Sequence, residues 1–138
     1  MLKYLPAAVA AALLLAACQK PSPPAEPPVR NFLVFFDFDK STLTPRAMDI
    51  VKEAANVAKS GHNARVTCTG QTDTAGPPSY NMALSLRRAN VVKNALVAIG
   101  VSATSITVIG NGEKTLLVST ADGAREPQNR RVEIMISM

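Results

Sequence analysis

Five prolines fall between Pro21 and Pro28, and they divide the chain. Proline fixes φ and lacks an amide donor, so residues 19–31 (QKPSPPAEPPVRN) suit neither a helix nor a central strand. The segment reads as extended polyproline II, reaching about 40 Å at ~3.1 Å per residue. Any globular fold must then come from residues 32–138, a length that can bury one small core.

The stretch in front, residues 1–17, reads MLKYLPAAVAAALLLAA. Met1 and Lys3 give a basic start, and Leu5 to Ala17 give 13 apolar residues. A membrane-crossing helix needs about 20, so this length fits the hydrophobic part of a secretory signal. The stretch ends Leu15-Ala16-Ala17-Cys18, which resembles a bacterial lipoprotein signal. The small residues fit a protease groove, and the Cys offers a thiol and, after cleavage, an amine for acylation. The resemblance implies a signal peptide over 1–17, lipidation at Cys18 and a proline-rich tether over 18–31. More than one acyl chain makes attachment stable, at about 0.8 kcal/mol per buried methylene. Gln19 follows the Cys where Asp would signal retention, so the same resemblance implies the outer membrane, with the domain facing the periplasm.

Within 32–138 the hydrophobic period changes element by element. Phe32 to Phe38 (FLVFFDF) predicts a buried strand. Thr44-Pro45 predicts a helix cap with Pro in the first turn. Ala47, Ile50, Val51, Ala54, Val57 and Ala58 then recur at helical spacing up to Ser60-Gly61. Arg65 to Gly70 alternates as a second strand, placing Val66 and Cys68 on one face. A turn-rich stretch leads to a second helix from Ser79 to about Ile99, stopped by Gly100. Ile106 to Ile109 and Arg131 to Ser137 predict two further strands, with a long polar loop from Gly110 to about Gln128 between them. The order β-α-β-α-β-β implies an α/β two-layer sandwich, two helices on one face of a mixed four-stranded sheet.

Composition removes several functions. Aromatics are 4% of the chain and Trp is absent, so the core must be aliphatic. The net charge of +5 comes from scattered residues, which argues against a nucleic-acid surface. One His and two Cys make no convincing zinc site at any usual spacing, and no cofactor is implied. His62 sits in a predicted loop with no Ser-His-Asp pattern around it. Asp37 and Asp39 would share a strand face, yet nothing makes them a glycosidase pair, so an enzyme is not expected.

The second helix carries the candidate site. Its apolar ridge runs through Leu84, Val91 or Val92, Ala95 and Ile99, and Arg88 falls on it while Arg87 falls off. An unpaired buried charge is costly, so Arg88 needs a partner. Asn81 lies on about the same stripe, and Asp73 lies just before the helix. Two readings follow from the pattern: a structural Asp73–Arg88 salt bridge, or a pocket whose carboxylate and guanidinium take the two ends of a zwitterion.

The run Gly70-Gln71-Thr72-Asp73, Gly76, Asn81, Leu84-Ser85, Arg88-Ala89 and Val92 resembles the signature of the OmpA-like peptidoglycan-binding domain. Phe36-Asp37-Phe38-Asp39-Lys40 and Asn129-Arg130-Arg131-Val132-Glu133 match as well, so the resemblance spans essentially all of 32–138. It implies a ligand, the meso-diaminopimelate of the peptidoglycan stem peptide, whose free end carries an amine and a carboxylate. It implies Asp73 and Arg88 as the gripping pair, with the backbone around Asp37 and Phe38 lining the site and Asn81, Leu84 and Arg130 shaping it. Asn129-Arg130 has a structural reading too. Gln71 stands where the family often has His.

Together these features imply an outer-membrane lipoprotein of the peptidoglycan-associated type, tethering membrane to wall. The alternative is a scaffold lipoprotein that docks an envelope complex, such as a Tol-type or secretion assembly, with wall binding secondary.

Overall fold

The computed structural model describes residues 20–25 and 28–138, so Cys18 and the signal segment lie outside the described residues. Among the described residues four strands and two helices follow in the expected order: β1 (Val29–Phe35), α1 (Pro45–Ser60), β2 (Arg65–Gln71), α2 (Pro78–Ile99), β3 (Ile106–Gly110) and β4 (Arg131–Ser137). Short 3-10 turns at Ala103–Ser105 and Pro127–Asn129 precede β3 and β4.

Strand β1 differs from its predicted position by three residues. It begins directly after Pro28, because Val29, Arg30 and Asn31 pair with Ser137, Ile136 and Met135 of β4. At the other end Asp37 and Phe38 leave the strand, where the Lys40 amide bonds the Asp37 carbonyl (3.1 Å) and Asp39 takes a left-handed φ of 56°. Asp37 and Asp39 therefore sit in a turn and do not share a strand face.

The helices start and stop where local chemistry dictates. The Thr44 hydroxyl accepts the Ala47 amide at 3.1 Å, and Pro45 occupies the first turn of α1. Helix α2 ends at Gly100, whose φ of 114° suits a residue without Cβ, and Val101 returns its amide to Leu96 at 3.0 Å. Lys59 of α1 also donates to the Ile99 carbonyl at that end (3.2 Å).

The sheet order is β1-β4-β2-β3. Strands β2 and β3 run parallel, and β4 runs antiparallel to both β1 and β2. Alternation puts Val34, Val66, Cys68, Ile106, Val132, Ile134 and Ile136 on one face, all buried. There α1 lies over β1 and β4, and α2 over β2, β3 and the helix α1. Val51, Ala54, Ala55, Ala89, Val92 and Leu96 extend the core, and Phe36 adds a buried ring. The buried ridge of α2 runs through Val92 and Leu96, leaving Val91, Ala95 and Ile99 only partly covered. Each such aliphatic side chain contributes roughly 1.5–3 kcal/mol of burial. Gly70 lets α2 approach β2 closely, since a Cβ there would lie 1.8 Å from the Ser85 carbonyl oxygen.

All the turns that carry the candidate residues meet at one end of this sheet. They are the turn after β1, the loop after β2, the start of α2 and the segment leading into β4.

Candidate functional site

Arg88 enters from the third turn of α2 and is fully buried. Its guanidinium donates to three main-chain carbonyls: Nε to Lys40 (2.8 Å), one terminal nitrogen to Asp37 (3.1 Å) and the other to Gln71 (3.4 Å). The turn at Asp39 aims the first two of these oxygens inward. The group also stands 5.3 Å from the centre of the Phe36 ring. Burial, and after it the neighbouring Arg130 cation, lower the Arg88 pKa to about 10, so it remains cationic at neutral pH. Among the described residues no carboxylate lies within ion-pair distance of it.

Asp73, also buried, follows β2. One carboxylate oxygen accepts the Ala75 amide (3.2 Å), and the other accepts the Glu126 amide (3.2 Å) and Arg130 (3.3 Å). The structural salt bridge open to Asp73 in the sequence is therefore made with Arg130, not Arg88. Strand order explains the change. Strand β4 lies between β1 and β2, so the residue before β4 arrives beside the loop after β2. Arg130 is held there by its own bond to the Phe36 carbonyl (3.1 Å).

Asn81, 1% exposed, shapes the loop that presents Asp73. Its amide nitrogen reaches the carbonyls of Asp73, Ala75 and Gly76 at 3.0–3.4 Å, and Glu113 at 3.1 Å. Gly76 allows the left-handed φ of 88° that closes this loop. The long loop before β4 is stapled to the same end. The Asn129 side chain bonds the Leu117 and Val118 amides and the Val118 carbonyl, all at 2.8 Å. The Thr74 hydroxyl bonds the Ala121 carbonyl (2.8 Å) and the Ala124 amide (3.1 Å). Asn129 thus has a structural role, and its neighbour Arg130 faces the site.

These residues enclose a cleft of about 330 Å³, lined by Phe38, Asp39, Asp73, Tyr80, Asn81, Leu84, Arg88 and Arg130 with residues 75–77. Six of the predicted site residues line it: Phe38, Asp73, Asn81, Leu84, Arg88 and Arg130. Asp37 contributes through its carbonyl to Arg88, and it lines a neighbouring depression with Phe35 and Phe36. Gln71 does not line the cleft; its side-chain amide donates to Glu133 (3.2 Å).

Asp39 and Tyr80 were not predicted as site residues. The Tyr80 hydroxyl donates to Asp39, and that bond raises the phenol's pKa. An exposed aromatic one residue before Asn81 was the signal available in the sequence. Chemically, the cleft holds two carboxylates and two guanidiniums, a neutral sum that suits a ligand carrying both signs.

Comparison with known proteins places this arrangement. Residues 35–130 match the model of the OmpA family. The chain is 48% identical over 118 residues to an outer membrane protein of Gluconacetobacter diazotrophicus, covering 81% of this chain and 31% of that one. It is 39% identical over 100 residues to the peptidoglycan-associated lipoprotein of Pseudomonas putida, covering 72% and 60%. The chain thus spans less than two thirds of the length of these relatives. The crystal structure of the peptidoglycan-associated lipoprotein from Burkholderia pseudomallei superposes with a TM-score of 0.71 at 28% identity, covering 77% of this chain and 90% of that one. With the family match running from the end of β1 to the start of β4, and the fold shared with that lipoprotein, this chain belongs to the OmpA family.

Proposed function

We propose that this protein binds peptidoglycan non-covalently through the meso-diaminopimelate of the stem peptide, and that an acylated Cys18 ties that hold to the outer membrane. One observation carries the reading: a fully buried guanidinium, Arg88, beside a cleft and without a carboxylate partner among the described residues. Three of its five N–H donors are taken by carbonyls, which leaves two for a ligand carboxylate. Asp73 lines the same cleft and supplies the acceptor for the ligand's ammonium. The names of the Pseudomonas and Burkholderia lipoproteins support a wall ligand for this family member as well.

The tether and the fold are compatible with such a role. Strand β1 starts at Val29 and the cleft opens past its far end, so the chain enters at the end of the sheet away from the cleft. A lipid at Cys18 would therefore leave the cleft directed away from the membrane and towards the wall.

The test is co-sedimentation of residues 20–138 with purified peptidoglycan containing diaminopimelate. The buried core cluster runs from Val34 to Ile136, so this segment holds all of it. The parent protein is expected in the pellet. Asp73→Ala is expected in the supernatant, for a loss of about 2–5 kcal/mol on removing one partner of a buried charge pair. Arg88→Lys, which keeps the charge but loses the planar fork, is expected to bind more weakly than the parent. A parent that stays in solution, or folded variants that pellet undiminished, would overturn the reading.

A further inference from the structure

Two guanidiniums lie against rings that line the cleft, without ion-pair partners among the described residues. Arg125, in the loop before β4, stacks 3.6 Å from the centre of the Phe38 ring. Arg87, on α2, lies 5.7 Å from the centre of the Tyr80 ring. Phe38 and Tyr80 both line the cleft, and they come from different elements. Stacking on a ring restrains a long side chain and keeps its charge beside that ring. Both arginines are exposed, so each can meet a ligand without unfolding anything. Two nearby acids have bonds of their own: Glu113 accepts from Asn81, and Glu126 accepts the Gln128 amide.

Charge then favours a ligand that carries further anionic groups. Asp39, Asp73, Arg88 and Arg130 sum to zero among the cleft-lining residues, and Arg87 and Arg125 add two exposed cations on the Tyr80 and Phe38 rings. A free zwitterion would leave those two cations unanswered. In a wall stem peptide, diaminopimelate has an acid on each side. The preceding D-glutamate is joined through its γ-carboxyl and keeps its α-carboxylate. A following terminal D-alanine ends in another carboxylate.

We infer that Arg87 and Arg125 are specificity-determining residues that take the two carboxylates flanking diaminopimelate, so the site selects the unamidated stem peptide over its amidated forms. The inference rests on the proposed wall-binding reading and deepens it. A guanidinium pairs with a carboxylate through charge as well as hydrogen bonds, whereas a carboxamide offers only a neutral acceptor. One exposed pair of this kind changes affinity by up to about fivefold.

The experiment is calorimetric titration of residues 20–138 with the tetrapeptide L-Ala-γ-D-Glu-diaminopimelate-D-Ala in three forms. One carries both flanking carboxylates, one has the glutamate α-carboxamide, and one has the terminal carboxamide. Each amidation is expected to weaken binding by about threefold to fivefold. Arg87→Ala and Arg125→Ala are each expected to erase one of these two penalties and leave the other. Equal affinity for all three forms, or penalties unchanged in both variants, would sink this inference while leaving diaminopimelate binding intact. No binding of any form would overturn the wall-binding reading and this one with it.

Discussion

The helix-facing side of the sheet and the cleft end of the sheet are both buried, but by opposite means. Under the helices the buried groups are Val, Ile, Leu and Ala, with Cys68 and Phe36. At the cleft end they are Gln71, Thr72, Asp73, Thr74, Asn81, Ser85, Arg88, Asn129 and Arg131. The first region depends on volume and alternation, which many side chains satisfy. The second depends on named hydrogen bonds, because a buried polar group left unpaired costs about 1–3 kcal/mol. A hydrophobic core of this kind specifies a fold, while a polar end of this kind specifies the positions of a few charges. Gln71 and Arg131 mark the limit of that satisfaction, since one oxygen of the first and one nitrogen of the second have no partner.

The seam between the two regions should be the least tolerant place in the molecule. Gly70→Ala would push a methyl into the Ser85 main chain, where only movement of α2 away from β2 can relieve it. A loss of at least about 3 kcal/mol is expected in denaturant unfolding, together with weaker stem-peptide binding. Next comes the staple at Asn129. Asn129→Ala frees two amides and a carbonyl of the long loop that also supplies the Glu126 amide to Asp73. About 2 kcal/mol of stability should be lost, and affinity for the stem peptide should fall with it. The core should separate those two readouts. Ile134→Val is expected to remove about 1 kcal/mol in the same unfolding assay with no change in ligand affinity.

Smallest at neutral pH is a titration in the core. Burial pushes the Cys68 thiol from its ordinary value of 9.0 up to about 12. A group whose pKa is raised on folding stabilises fully below its unfolded value, and that stabilisation is lost as pH rises. Stability should therefore be flat with respect to this group below pH 9 and fall between pH 9 and about 12. Cys68→Ala should flatten that fall in urea melts measured across the same window, while an unchanged slope would show that the thiol is not its source.

The two regions were also unequally legible in the sequence. The core elements are written locally: Thr44-Pro45 caps α1, Gly100 stops α2, and period two marks Arg131 to Ser137 as a strand. The start of β1 was less legible, because Arg30 and Asn31 look polar until β4 is there to pair with them. The candidate residues were named through the motif around Asp73 and Arg88, and six of them line one cleft. Their pairing was not legible. Arg130 reaches Asp73 across 57 positions, and only the placement of β4 between β1 and β2 makes that contact possible. The carbonyls that hold Arg88 belong to a turn set by the left-handed Asp39, which no hydrophobic period records.

The central claim is that the cleft holds both ends of one zwitterion, and a pair of titrations tests it directly. One uses a stem peptide containing diaminopimelate, and the other the same stem with lysine, which has the amine but lacks the second carboxylate. The diaminopimelate stem should bind and the lysine stem should lose most of that affinity, because Arg88 then has no carboxylate to meet. Equal binding of the two stems would contradict the account.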